Sequence, residues 1–166
     1  PHILMGWIHL FKAEHDKAIE AGNRAIILNP NGADSLAHLG FIAHMAGEIE
    51  KAIRYLEKAF RLNPIPPPYY YHFLGGAYAF DEQYDKTIEI QNQGINIDPE
   101  PITPYLSLTS TYIEIENLEQ AKISAKKILE IDPSFSLEYH KNVIPLKDQA
   151  KLERYIENLR KAGLPD

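Results

Sequence analysis

The chain has 166 residues, of which 45% are hydrophobic and 24% charged, and its formal net charge is -6 at pH 7. This composition suits a folded domain, and the acidic balance argues against a nucleic-acid partner. The absence of cysteine excludes disulfides, thiolate zinc sites and a cysteine nucleophile. No apolar run reaches the roughly 18 residues that a membrane span needs, so we expect this part of the protein to make no membrane contact. The start at Pro1, with no initiator Met, suggests a piece of a longer protein.

The most regular feature of the sequence is an Asn-Pro or Asp-Pro dipeptide that recurs along the chain. Its prolines are spaced 34, 35 and 34 residues apart, at Pro30, Pro64, Pro99 and Pro133. Small residues recur in the same register, at Gly6, Gly40, Gly75 and Thr109 and again at Ala18, Ala52, Thr87 and Ala121. A proline disfavours helix in the residue before it, and a residue without a bulky side chain lets two helices approach closely. The pattern therefore predicts repeated pairs of packed helices.

In chain order, the repeat predicts helices near residues 2–12, 15–28, 33–46, 49–62, 69–80, 84–97, 102–115 and 118–131. Two helices per repeat give four units, at about 1–30, 31–64, 65–99 and 100–133. The one extra residue of the second spacing, which spans the third unit, falls within Pro64–Pro68, where we expect a stiff extended link. That link either changes the spacing of the units or only lengthens a loop.

The pattern changes after Pro133. An amphipathic segment covers Ser134 to Asn142, Pro145 interrupts it, and a last helix is predicted from about Asp148 to Ala162. The apolar residues of this last helix share one face and are Leu152, Tyr155, Ile156 and Leu159. Residues 134–166 are therefore predicted to be capping helices, with one face against the last repeat and one facing water.

The repeat resembles the tetratricopeptide pattern, in which a Leu-Gly pair, a later aromatic residue, two small residues and a closing proline recur every 34 residues. Leu74, Gly75 and Tyr78 illustrate the match in the third unit. The resemblance implies an all-α fold, a right-handed superhelix (α-solenoid) of about four helical hairpins over residues 1–133 with capping helices after it. It also implies a module that binds proteins and has no catalytic residues and no cofactor.

The third unit departs from the pattern in its second helix. Thr87, Gln91 and Gly94 occupy columns that are small or apolar in most other units. We expect this unit to be the weakest of the array, because the stability of a solenoid is the sum of its neighbour contacts.

Two stretches are similar to the repeat regions of bacterial class III adenylate and guanylate cyclases. One is the proline-rich link with the helix start after it, Leu62–Pro64 and Pro67–Tyr78, and the other is the ending, Asp132–Leu137 with Leu159–Pro165. Similar repeat tails also follow winged-helix transcription regulators. The resemblance implies a cytoplasmic docking or regulatory region of a bacterial signalling protein, and it transfers no cyclase active-site residue to this chain.

The first helices of successive units are expected to line a groove for a protein or peptide partner. The groove candidates are apolar or aromatic and are Trp7, Phe11, Phe41, His44, Met45, His72 and Phe80. Columns that hold Lys and Asn in repeats that clamp a peptide carboxylate hold Ile3, Trp7, Ala37 and Phe41 here, so binding of a chaperone tail is not expected. The alternative is that these aromatic residues are core, which is their commoner role at helical spacing.

Three functions remain open at this point. The chain docks a separate partner, or it acts as an intramolecular regulatory or dimerisation segment of a cyclase or winged-helix regulator, or it is a free-standing enzyme. The last is disfavoured, since the seven histidines form no metal-binding pattern such as His-Glu-x-x-His and no phosphate-binding glycine loop is present. A homodimer is expected if Ile3, Trp7 and Leu10 lack a neighbour before the first helix.

Overall fold

The protein is described by a computed structural model that covers residues 2–166. Within this range it contains ten α-helices and no β-strand. The helices are α1 His2–Phe11, α2 His15–Leu28, α3 Ala33–Met45, α4 Ile49–Leu62, α5 Pro68–Phe80, α6 Tyr84–Ile97, α7 Thr103–Glu114, α8 Leu118–Ile131, α9 Leu137–Val143 and α10 Gln149–Lys161. The prediction of an all-α solenoid is confirmed, and the helices of the repeat begin and end within two residues of their predicted bounds.

Successive helices pack as antiparallel pairs, α1 with α2, α3 with α4, α5 with α6 and α7 with α8. The first helices α1, α3, α5 and α7 also contact one another in turn, so they line one face of the array. We call this surface the first-helix face. It corresponds to the surface on which the groove was expected.

Each turn between paired helices contains one residue in the left-handed conformation. These residues are Ala13, Gly47, Glu82 and Glu116, with φ of 57°, 84°, 58° and 59°. The next residue then donates its N–H back to a carbonyl five positions earlier, as Gln83 does to Tyr78 at 2.9 Å. Only one turn has the glycine that this backbone conformation favours, so the other three tolerate a cost of about 1 kcal/mol each.

The glycine columns allow the close approach of paired helices. A Cβ atom at Gly40 would lie 2.6 Å from Cγ of Leu56, and one at Gly75 would lie 2.4 Å from Nε2 of Gln91. Leu56 and Gln91 therefore occupy equivalent places, each on top of the glycine of its own pair. An apolar side chain fills this place in the second pair and a polar one in the third.

The buried polar residues of α6 have few partners. Thr87 and Gln91 are fully buried, and the Thr87 hydroxyl donates to the carbonyl of Gln83 at 3.2 Å. The Gln91 amide nitrogen donates to the carbonyl of His72 at 3.4 Å, while its Oε1 has no partner among residues 2–166. A buried acceptor without a partner lowers the stability of the fold. This agrees in direction with the expectation that the third unit is the weakest.

The link at residues 63–67 carries the extra residue of the third repeat and ends on extended backbone at Pro67, with φ -65° and ψ 157°. Pro68 then occupies the first turn of α5, where a missing N–H costs nothing. Tyr69 and Tyr70 both donate their hydroxyls to Oδ1 of Asp34 on α3, at 3.0 and 2.7 Å. The start of α5 is therefore held against α3, and the loop absorbs the insertion.

Replacing Gln91 with Leu tests the polar core of α6. We expect the free energy of unfolding to rise by about 1–2 kcal/mol, because the variant removes an unpartnered buried oxygen and restores the apolar residue of the second pair. Chemical denaturation of the whole chain measures it. Gln93→Leu, an exposed change on the same helix, is the control and should leave stability within about 0.5 kcal/mol. A loss of stability in Gln91→Leu would contradict the interpretation.

Candidate functional site

The first-helix face carries a row of aromatic rings across α1, α3 and α5. Trp7 stacks on Phe41 with 4.9 Å between ring centroids, and Phe41 lies 4.5 Å from Phe73 by the same measure. His38 stacks on Tyr69 at 5.1 Å beside them. All five side chains are only partly buried. Together with Phe11, which is 65% exposed, they form what we call the open part of the groove.

The rest of the first-helix face is covered by the C-terminal hairpin, residues 134–166, in which α9 and α10 run alongside each other. Lys141 of α9 forms an ion pair with Glu153 of α10, and Leu137 donates its N–H to the carbonyl of Pro165 at 2.8 Å. The hairpin lies over α7 and reaches the carboxyl ends of α3 and α5. The residues beneath it form the covered part of the groove: His44, Met45, Gly76, Phe80, Ser107 and Ser110.

The tip of the hairpin contacts the first two repeats. The N–H of Lys147 donates to the carbonyl of Met45 at 2.8 Å, and Nε2 of His15 donates to the carbonyl of Pro145 at 2.8 Å. Lys147 also lies 3.4 Å from Asp16 through its ammonium group. A cap was expected to pack on the last repeat only. The hairpin instead spans the array from the fourth repeat back to the first.

Polar side chains of α10 fix its position over the third and fourth repeats. Lys151 donates to the carbonyl of Phe80 at 3.1 Å, and Arg154 binds Glu82 at 3.1 Å and Glu114 through two nitrogens. Asn158 donates to Glu114 at 2.6 Å and to the Ser110 hydroxyl at 3.1 Å. Glu114 therefore accepts from two residues of α10 and anchors that helix to α7.

The protonation of Glu114 reflects this contact. Partial burial acts to raise the pKa of its carboxyl group, but hydrogen bonds from Arg154 and Asn158 outweigh burial and leave the pKa below its usual value. The same pair raises the pKa of the Arg154 guanidinium, mainly through the Glu114 hydrogen bond. Both groups are charged at neutral pH, so the hairpin is held by a charged bidentate contact.

Three segments of the chain match family models described as tetratricopeptide repeat. One model matches residues 33–65, and a second matches residues 68–101 and 103–135. Together these segments cover more than half of the chain. The chain belongs to the tetratricopeptide repeat family. The matched segments contain α3 through α8 and three of the four Asn-Pro or Asp-Pro dipeptides.

A curated relative is similar over a shorter stretch. Superkiller protein 3 of Saccharomyces cerevisiae is 36% identical over 64 residues, which are 39% of this chain and 4% of the relative. The chain therefore spans a small fraction of the length of this curated relative.

Several solved structures share the fold. A crystal structure of MamA superposes with a TM-score of 0.68 at 21% identity, covering 95% of this chain and 92% of that one. TTC0263, a tetratricopeptide protein of Thermus thermophilus, gives 0.73 at 17% identity over 97% and 84% of the two chains. The Cut9-Hcn1 hetero-tetramer of APC/C gives 0.77 at 20% identity over 98% of this chain and 29% of that one. At these identities the likeness concerns the fold alone.

The tetratricopeptide groove divides the seven predicted groove residues into two sets. Trp7, Phe11 and Phe41 lie in the open part, where their rings are partly or largely exposed. The other four lie beneath the C-terminal hairpin: His44, Met45, His72 and Phe80. The first three of these are buried, while Phe80 is partly buried and meets Tyr155 of α10 at 6.0 Å between ring centroids. Whether either set binds a partner remains a prediction.

Reasoning from the sequence missed part of the site. Tyr69 and Phe73 belong to the open part of the groove. Tyr69, Phe73 and Gly76 follow one another on α5 at spacings of four and three residues, which places them on one face of the helix, and this pattern could have identified them. The hairpin residues Arg154 and Asn158 were missed because nothing local in α10 indicates which surface its polar residues contact.

No helix within residues 2–166 is long and apolar enough to cross a membrane. Over the same residues, no group of three or more His, Cys, Asp or Glu side chains is placed to hold a metal ion. Repeats of this family typically bind protein partners.

His44 of the covered part and His72 of α5 are buried titratable groups. His44 is 3% exposed and has no hydrogen-bond partner on either ring nitrogen among residues 2–166. Burial lowers its pKa to about 4, and the charge of Lys151 acts in the same direction. Burial also lowers the pKa of His72 and lowers that of His140 in α9 to about 4. These rings are therefore neutral at pH 7, and the hairpin packs against an uncharged surface.

Acid should destabilise the fold through His44. The unfolded chain takes up this proton near the ordinary histidine pKa of about 6.5, whereas the folded chain resists it down to about pH 4, so stability falls as pH drops through that window. Between pH 7 and pH 5 we expect His44→Phe to lose about 2 kcal/mol less stability than the unchanged chain. Denaturation at the two pH values measures it. An equal loss in both proteins would contradict the assignment.

Proposed function

We propose that this chain binds a protein partner through the open part of its groove, as a docking region. The proposal rests on one observation above the others, the aromatic row of Trp7, Phe41 and Phe73 that crosses three successive first helices and remains partly exposed. Aromatic residues are the commonest anchors of protein interfaces. A monomer has no need to leave them accessible on one face.

The C-terminal hairpin supports this use of the face. It demonstrates within one chain that the first-helix face accepts helices, through buried apolar residues such as Ile156 and through polar contacts such as those of Arg154. The open part continues the same face beyond the hairpin, toward the amino ends of α3 and α5. A partner helix or extended segment could bind to the open part, which is the same kind of surface but is not covered by the hairpin.

For the parent protein we propose a bacterial signalling protein located in the cytoplasm, with a class III nucleotide cyclase as the named case. The support is the similarity of the proline-rich link and of the ending to the repeat regions of those cyclases. The chain itself would act in docking and not in catalysis.

A second candidate function is intramolecular regulation without a separate partner. The observation that favours it is the occupied groove, since the hairpin already fills the covered part and contacts all four repeats through Pro145, Lys147, Lys151 and Arg154. In that case the repeats and the hairpin would hold an attached domain in one arrangement.

Affinity capture from the native host, with mass spectrometry of the bound proteins, tests the first proposal. Phe73→Ser removes a central ring of the open part, and we expect it to reduce capture of the partner at least tenfold, since hot-spot truncations cost about 2 kcal/mol or more. Ile65→Ser is the matched control, because Ile65 is 89% exposed but lies in the link. If both variants capture equal amounts of the partner, the open part of the groove does not bind it.

The same experiment separates the two candidates with a further variant, Ile156→Ala, which trims a buried contact of the hairpin. If the hairpin competes with a partner, this variant captures more of it. If regulation is intramolecular, no protein is captured in a way that depends on Phe73, and Ile156→Ala changes only the output of the attached domain.

We also propose that the chain pairs with a second copy through α1. Leu4, Ile8 and Phe11 are exposed and fall on one face of that helix, at spacings of four and three. Leu10, by contrast, is fully buried within the chain and so offers no surface for such a contact. It packs in the same cluster as Ala18 and Ile42.

Analytical ultracentrifugation checks the pairing. We expect a concentration-dependent dimer, and we expect Ile8→Glu to shift it to monomer, because the new charge would be buried in the contact. Ile27→Glu is a control on α2, where the side chain is 76% exposed and outside that face. A monomer at all concentrations would exclude this contact.

A further inference from the structure

A cavity of about 280 Å³ lies between the C-terminal hairpin and the first-helix face. Its walls are mostly rings and aliphatic side chains from both sides, namely Phe41, Phe73 and Phe80 from the repeats with Ile144 and Tyr155 from the hairpin. The hairpin thus leaves a partly open space between two parts of the same chain. Its volume is roughly twice that of an engineered cavity of about 150 Å³ that binds benzene.

Three polar side chains in the lining are more than nine-tenths buried and have unused hydrogen-bonding atoms. They are His44, Ser107 and Thr111, with exposures of 3%, 9% and 1%. Neither ring nitrogen of His44, nor the hydroxyl of Ser107 or Thr111, has a partner among residues 2–166. The ring of His72 faces Gly94 of α6 instead, where an added Cβ would lie 3.1 Å from its Cε1. Buried polar groups are nearly always paired, so a cluster of three around one cavity points to a ligand that pairs with them.

The charged side chains of the lining lie at the exposed edge of the cavity. Arg154 binds Glu82 and Glu114, Asn158 also donates to Glu114, and Lys151 donates to the carbonyl of Phe80. Arg154, Glu82 and Lys151 are exposed and Glu114 is partly buried, so a ligand with a full charge would find no counterion in the buried part of the cavity. The unused atoms are hydroxyls and neutral imidazole nitrogens, each able to donate to or accept from a neutral polar group.

From the cavity volume, its aromatic walls and the three unpartnered polar side chains, we infer that this site binds a small neutral aromatic molecule of about two fused rings that carries a hydroxyl group. The rings would stack among Phe41, Phe73, Phe80 and Tyr155, and the hydroxyl would pair with Ser107, Thr111 or His44. A polypeptide is the less suited occupant, because a space of about 280 Å³ is too small for more than one or two side chains. The inference does not require a protein partner, although Phe41 and Phe73 also belong to the open part of the groove.

Such a ligand would touch the repeats and the hairpin together. Tyr155 and Ile144 belong to the hairpin, while Phe73 and Ser107 belong to the repeats. The bound molecule would therefore stabilise the docked position of the hairpin, since it binds only where both surfaces are present.

The test is a ¹H–¹⁵N NMR titration of the whole chain with 2-naphthol. We expect saturable shifts at amides lining the cavity, with a dissociation constant on the order of 100 µM for a ligand of this size. Naphthalene, which lacks the hydroxyl, and 2-naphthoate, which is charged, should each bind at least tenfold more weakly. Tighter binding of 2-naphthoate, or no saturable shift with 2-naphthol, would overturn the inference.

Variants assign the binding to this cavity. The double change Ser107→Ala and Thr111→Val removes the two unpartnered hydroxyls with little change in shape, and it should weaken 2-naphthol at least tenfold while leaving the melting temperature equal or higher. Ala79→Leu fills the space and should abolish binding. Thr87→Val is the matched control, because it removes a buried hydroxyl of α6 away from the cavity lining.

Two further outcomes would also overturn the inference. One is 2-naphthol binding that is unchanged in both cavity variants, which would place the probe elsewhere on the protein. The other is a titration in which amides of residues 144–158 move to unfolded positions, which would mean that the probe displaces the hairpin instead of binding beneath it. Retained hairpin signals with lost binding in Ala79→Leu would support the site.

Discussion

The close approach of the two helices in each repeat is the constraint on which the rest of this structure depends. At Gly6 an added Cβ would lie 3.3 Å from the carbonyl oxygen of Ala18, and at Gly40 it would meet Leu56 at 2.6 Å, so a bulkier residue would separate the helices of these two pairs. The distance between paired helices sets the distance from one unit to the next. The first helices of successive units are separated by that distance, so the small-residue column also sets the spacing of the rings on the first-helix face.

The same constraint explains why the repeat was predictable from the sequence. Each unit needs small residues where its two helices meet, and it needs an end to its second helix at the same position in the repeat. Both features therefore recur in the sequence about every 34 residues. The turns are predictable for a similar reason, since Gly47, Glu82 and Glu116 stand at equivalent positions where one residue must take the left-handed conformation. Local rules were sufficient for helices α1 through α8, because each of them packs mainly on its neighbours in the chain.

The position of the C-terminal hairpin could not be predicted in this way. The apolar face of α10 was readable, and Leu152, Ile156 and Leu159 are buried as that face requires. The surface on which this face packs could not be predicted, because the contacts that fix the tip of the hairpin use backbone atoms. The carbonyl of Met45 accepts from Lys147, and that of Pro145 accepts from His15. A backbone carbonyl is present in every residue and leaves no pattern in the sequence. The division of the groove into open and covered parts follows from these contacts and was therefore missed as well.

The hairpin changes the mechanical character of the array. In an open solenoid each repeat contacts only its neighbours, so one end can loosen without effect on the other. Here a segment that follows the fourth repeat makes contact at His15, 130 residues before Pro145, and at Glu82 and Glu114 between these ends. A change in curvature at any repeat must then alter at least one hairpin contact. Occupancy of the open part of the groove is consequently coupled to the covered part, since both share Phe41 and Phe73 in their walls.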